Sequence, residues 1–85
     1  MKKKNAEKKI WDVERFDVAF NGARKLTGKY KFENQARNNW TVAEWKKSRL
    51  AKSFPNAECD VLDGDGNVVL GMTTLATVRD SYSED

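Results

Sequence analysis

Thr41-Val42-Ala43-Glu44-Trp45-Lys46-Lys47-Ser48-Arg49-Leu50-Ala51-Lys52-Ser53-Phe54-Pro55 is a helix with both of its ends written into the chain. Thr41 followed by Glu44 is a capping box, in which the hydroxyl accepts from the third helical amide and the carboxylate reaches back to the cap amide. Trp40, just ahead, is placed to pack on the first turn as a hydrophobic staple. Pro55 cannot continue a helix and biases Phe54 away from helical angles, so the helix runs to about Ser53. At 100° per residue Ala43, Leu50, Ala51 and Phe54 form the buried stripe, with Val42 at its edge and Lys46 and Lys47 beside it. Trp45 falls away from that stripe and shares a face with Arg49 and Lys52.

On either side of this helix the pattern changes to period two. Upstream, Phe16, Val18 and Phe20 alternate with Arg15, Asp17 and Ala19, the signature of a strand with one apolar face. Asn21-Gly22 is a short-range hairpin signal, because both central residues of a type I′ turn need positive φ. Tyr30 and Phe32 then alternate with Lys29, Lys31 and Glu33, which reads as the partner strand. Residues 34–39 form a polar connector. Downstream, Cys59 and Val61 alternate with Asp60 and Leu62, and Asp63-Gly64-Asp65-Gly66-Asn67 turns the chain into a return strand, Val68-Val69-Leu70. Thr73 or Thr74 caps a short last helix carrying Leu75, Val78 and Tyr82. The expectation is an α+β domain in the order β-β-α-β-β-α, antiparallel strands with the helices packed on one face. Residues 1–9 read as a basic flexible arm, 10–82 as one domain and 83–85 as an acidic tail.

Eighty-five residues with 39% hydrophobic side chains, four Phe, three Trp and two Tyr suffice for one core. The mean hydropathy of −0.82 reflects 34% charged residues. No apolar run approaches the roughly 20 residues that span a bilayer, and Met1-Lys2-Lys3-Lys4 is not followed by an apolar signal core. The expected setting is the cytoplasm of a bacterial or phage-infected host cell, with no membrane partner. Cys59 is the one cysteine and histidine is absent, so neither a disulfide nor a Cys/His zinc site can form within the chain. Cys59 reads as a small buried hydrophobe rather than a reactive thiol.

The charge is divided along the chain. Residues 1–54 hold 15 Lys/Arg against 6 Asp/Glu, a net +9, whereas residues 55–85 hold one Arg against 7 Asp/Glu, a net −6. The basic segment suits a polyanion and the acidic end suits a basic protein surface or self-association.

Catalytic chemistry finds little support. There is no glycine-rich phosphate loop, and a nucleophile–base pair lacks its histidine. The carboxylates Asp12, Asp17, Asp60 and Asp63 have no spacing that demands convergence. The Asp63–Asn67 cluster resembles a calcium loop in composition, but an EF-hand needs an acidic residue at loop position 12, where this chain has Thr74. A hairpin turn is the better reading. No enzyme, metal or cofactor is expected.

The candidate site is basic and aromatic. Trp45, Arg49 and Lys52 share a helix face, Lys46 and Lys47 border the buried stripe of the same helix, Lys29 and Lys31 project from one strand face, and Arg37 extends the set from the connector. Cations for phosphates beside an aromatic that stacks on bases is the pattern of a nucleic-acid surface. Lys2, Lys3, Lys4, Lys8 and Lys9 add phosphate contacts from the arm. The competing reading packs Trp45 into the core with Arg49 stacked upon it and leaves the lysines as a solvated face.

The stretch Thr41-Val42-Ala43-Glu44-Trp45, continued by Phe54-Pro55-Asn56-Ala57-Glu58-Cys59-Asp60-Val61 and Asp63-Gly64-Asp65-Gly66, resembles a helix–strand module of small phage and mobile-element accessory proteins. Trp45 departs from the aliphatic residue usual there. The resemblance covers about a third of the chain, carries no functional residue, and implies an accessory protein of bacterial or phage origin. Three functions follow as expectations. The first is nucleic-acid binding through the basic two-thirds. The second is a protein-interaction module, such as an inhibitor of a host enzyme or defence complex. The third is a homo-oligomer, such as a homodimer.

Overall fold

The structure, a computed structural model, describes residues 2–21, 26–55 and 57–82. Its elements are helix α1 (Lys3–Glu14), strand β1 (Asp17–Phe20), helix α2, strand β2 (Cys59–Leu62) and helix α3 (Leu75–Asp80). Helix α2 is built of Val42–Trp45, a π-helical turn Lys46–Leu50, and Ala51–Ser53. The α+β class is as expected, but among the described residues the first element is a helix and the regular sheet has two strands.

Helix α1 replaces most of the expected arm. Ala6, Ile10 and Val13 fall at i, i+4 and i+7 and are buried, so one stripe holds the helix on the core. That stripe is cut in two by a boundary drawn at residue 9, which leaves a lysine-rich piece looking structureless. Glu7 further ties the helix to β1, accepting from the Phe20 amide at 3.2 Å. The chain leaves α1 through Arg15 in the left-handed region at φ 65°, its amide donating to the Trp11 carbonyl.

Strand β1 pairs antiparallel with β2, Val18 opposite Val61 and Phe20 opposite Cys59, and these four side chains are buried. The expected partner, residues 29–33, forms no strand. Its alternation is real for side chains, with Tyr30 buried and Lys29 and Lys31 exposed, but alternation states which face is wet and not which backbone pairs with which. Gly22 of the expected turn lies outside the described residues, as does the tail 83–85. The second hairpin is reduced to one bridge, Leu62 opposite Val68, with the Val69 amide donating to the Val61 carbonyl. Asp63 shapes its turn, Oδ1 accepting from the Asp65 and Asn67 amides at 2.9 Å each. Helix α3 stops at Asp80, so Tyr82 lies beyond it. The Tyr82 hydroxyl accepts from the Asp17 amide and donates to the Leu62 carbonyl, linking the start of β1 to the end of β2.

The starts of α2 and α3 are joined by a local two-fold relation. Both helices are capped by threonine, Thr41 and Thr74, which form an antiparallel bridge with one another. Val42 N–H donates to the Thr73 carbonyl and Leu75 N–H to the Trp40 carbonyl, each at 2.8 Å. One residue on, Ala43 donates to Gly71 and Ala76 to Asn38. Residues 37–44 thus correspond one for one to residues 70–77. Amides that a helix N-terminus normally leaves open are consumed by the other helix's loop.

Candidate functional site

Glu14 is the last residue of α1, and its side chain is fully buried. A buried carboxylate persists only when paired and hydrogen-bonded. Here Oε2 accepts from Tyr30 Oη at 2.5 Å and Arg49 Nη1 at 2.6 Å, and Oε1 accepts from the Ala36 amide and Arg79 Nη2 at 2.9 Å each. Trp45 Nε1 donates to Tyr30 Oη at 3.0 Å, completing the chain of donors. Arg79 also donates to the carbonyls of Glu14 and Ala36 and to Asn38 Oδ1. One carboxylate therefore gathers α1, α2, α3 and the 30–38 segment. Among the described residues no buried side-chain polar atom lacks a partner.

This network moves two expected site residues inside. Trp45 is 0% exposed and packs edge-on to Phe16, ring centres 5.0 Å apart. It cannot stack on a base, which corrects its assignment to the solvent face. The expected buried stripe is corrected with it, since Ala43 and Ala51 are exposed while Val42, Trp45, Leu50 and Phe54 are buried. Two physical causes act. An indole removes far more apolar surface from water than two methyl groups, and the π turn, in which Ala51 N–H reaches the Lys46 carbonyl, brings residues five apart onto one side. Arg49 is likewise committed. Its Nη1 bonds Glu14 and the Asn34 carbonyl, and its guanidinium lies 4.4 Å from the Phe32 ring centre and 5.9 Å from that of Trp40.

The remaining cations separate into groups. Lys29, Lys31 and Lys52 come together with Gly28, Phe32 and Ser53 around one open cleft of about 530 Å³. Gly28, at φ 97°, makes this possible. A Cβ there would stand 2.0 Å from the Ser53 carbonyl oxygen, so only glycine lets this segment run against the end of α2. All three lysines are exposed, and none is in an ion pair with another described residue. Lys46 and Lys47 line a different concavity, with Leu50, Pro55 and Cys59 and the acidic Glu58 and Asp60. Arg37 is exposed in the connector, and Lys8 on α1 is paired with Asp12 at 2.9 Å.

Cys59 is 4% exposed, and burial pushes its thiol up to about 12, away from the thiolate a nucleophile or metal ligand requires. Burial also raises the Tyr30 phenol, and Glu14 beside it raises it further. Among the described residues no group of three or more acidic or cysteine side chains could hold a metal ion, and no helix is long and apolar enough to cross a membrane.

Glu14, Tyr30, Phe32 and Arg79 were not candidates from sequence. Two carried a signal, being charged residues next to the apolar stripes of their helices, Glu14 after Val13 and Arg79 after Val78. Arg79 is also the one cation of the acidic third. Comparison with protein families, with curated proteins and with solved structures finds no match to this chain.

Proposed function

We propose that this protein is a non-catalytic nucleic-acid-binding domain whose contact site is the Lys29, Lys31 and Lys52 cleft beside Phe32. The observation that carries the reading is the convergence of three lysines, none ion-paired with another described residue, from two separate segments on one concave, aromatic-edged surface. Such a surface meets phosphates with cations, and the exposed part of Phe32 offers an edge for a base. Phosphate binding at the α2 and α3 N-termini is disfavoured because those amides are already bonded to each other's loops. Side-chain cations are left to do the binding. Trp45 and Arg49 act one step behind it, holding the 30–34 segment so that Lys29 and Lys31 stand beside Lys52.

The test is fluorescence anisotropy of labelled single- and double-stranded DNA and RNA at two salt concentrations. Binding that weakens steeply with salt is expected. Each Lys→Ala change in the cleft lowers the log–log salt slope by about 0.7 to 0.9, the value for one phosphate contact. Absence of binding at low salt, or a slope indifferent to all three changes, rejects the reading.

A further inference from the structure

At the opposite pole of the charge division the chain exposes an apolar ribbon. Val68, Leu70 and Met72 are 61%, 70% and 80% exposed. They alternate with Val69, which packs on the core, and Gly71, where a Cβ would come 3.3 Å from that of Ala43. Over Val68–Leu70 the alternation is that of a strand with one side fixed to the protein and the other offered outward, and the chain then turns at Gly71–Met72, where the Thr73 amide donates to the Leu70 carbonyl. Val69 gives its amide to Val61, so the Val68 N–H and C=O point to the other edge, and no described residue takes them up. A groove lined by Val68, Leu70, Thr73, Thr77 and Val78 and bordered by Asp63 runs along the ribbon. Large apolar side chains beside an open strand edge are a liability that proteins otherwise blunt with lysine, proline or a covering element; residues 67–72 contain neither lysine nor proline, and among the described residues none covers Val68, Leu70 and Met72.

The charge around the ribbon selects what covers it. Asp63 borders the groove and Asp65 stands in the turn that leads into Val68, while the sole cation of residues 57–82, Arg79, is committed to Glu14. We propose that the edge formed by residues 67–70, with Met72 beside it, docks an extended segment of a partner protein in which apolar and basic residues alternate. The partner adds a strand beside Val68, its apolar side chains meet Val68, Leu70 and Met72, and its cations face Asp63 and Asp65. This surface is distinct from the lysine cleft and does not depend on it.

The experiment uses the full chain and a synthetic peptide alternating valine and lysine, followed by amide shifts in NMR titration. Saturable shifts confined to residues 61–73 are expected. Binding should weaken at least tenfold with Leu70→Lys or Met72→Lys. It should also weaken tenfold when valine–glutamate replaces valine–lysine, and when the peptide is N-methylated at alternate amides. A Lys29→Ala/Lys31→Ala/Lys52→Ala variant should bind the peptide unchanged, which separates this surface from nucleic-acid binding. Equal affinity for the glutamate peptide, or shifts centred elsewhere, overturns the proposal. So does a concentration-dependent dimer in light scattering that Leu70→Lys dissolves, since the occupant is then a second copy of this chain.

Discussion

Arg79 of the last helix holds Glu14 of the first by two separate bonds, Nε to the Glu14 carbonyl at 2.8 Å and Nη2 to Oε1 at 2.9 Å. Arg49 approaches the same carboxylate from the other side through Oε2. The fold therefore holds a buried charge alongside its apolar cluster, which includes Ile10, Phe16, Trp45, Val61 and Leu75. Removal of Glu14 leaves two guanidiniums facing each other with no counter-charge. Glu14→Ala should cost about 3 kcal/mol, the low end for breaking a buried pair, because Arg49 and Arg79 keep 15% and 11% side-chain exposure and can rehydrate. Glu14→Gln should cost less. Urea midpoints of the two variants check the order, and an unchanged midpoint for Glu14→Ala would show the network to be incidental.

Trp45 is expected to report on the interior and not on a ligand. Trp45→Phe removes the bond to Tyr30 Oη and part of the core volume, at about 1 to 3 kcal/mol. The fluorescence lost on substitution should be blue-shifted and resistant to iodide, while the half-buried Trp11 and Trp40 remain quenchable. A Trp45 component that iodide or added DNA quenches would return this residue to the surface.

The paired caps should be unequal to ordinary ones. Thr41→Ala loses the bond to the Glu44 amide, and the return bond of Glu44 to the Thr41 amide loses its partner geometry. A cap loss alone is worth about 1 kcal/mol. Because Thr41 and Thr74 bridge each other, Thr41→Ala and Thr74→Ala should couple, with a double variant departing from the sum of the singles by more than about 0.5 kcal/mol. Denaturation of the four-member cycle measures this, and simple additivity would mean that the two starts are independent.

Alkaline pH should destabilise the fold through its buried thiol and phenol. Burial holds the Cys59 thiol at about 12 against an ordinary 9.0, and raises the Tyr30 phenol as well. The folded state keeps protons that the unfolded chain releases. The stability these groups contribute is full below pH 9 and is lost progressively as pH rises toward 12. The urea midpoint should fall from pH 9 to 11, and Cys59→Ala should flatten that fall. Native Cys59 should also resist thiol reagents at neutral pH and react on unfolding.

The lysine cleft makes a positional prediction. Lys52→Glu should reduce nucleic-acid affinity more than Lys47→Glu, although both lie on α2, because Lys52 faces Lys29 and Lys31 while Lys47 faces the concavity of Glu58 and Asp60. Anisotropy titrations compare them directly, and equal losses would point to diffuse attraction by net charge.

Local signals in this chain were reliable wherever a few adjacent residues suffice. The Thr41–Glu44 capping box, the Thr74 cap, the stop at Pro55, the Asp63 turn and the in–out alternation of Phe16, Val18 and Phe20 all follow from bonds or sterics within one or two turns. Pairing did not follow, because period two in residues 29–33 is compatible with any partner, and β1 instead pairs with residues from beyond α2. The face of α2 was equally undetermined, since a π turn and the large area of Trp45 set it together. The roles of the cations were least visible. Arg49 and Lys52 look alike as neighbours on one helix, and what separates them is a carboxylate from α1 that reaches Arg49 and leaves Lys52 exposed. A buried charge recruits its partners through space, so no spacing along the chain could show which arginines Glu14 would claim.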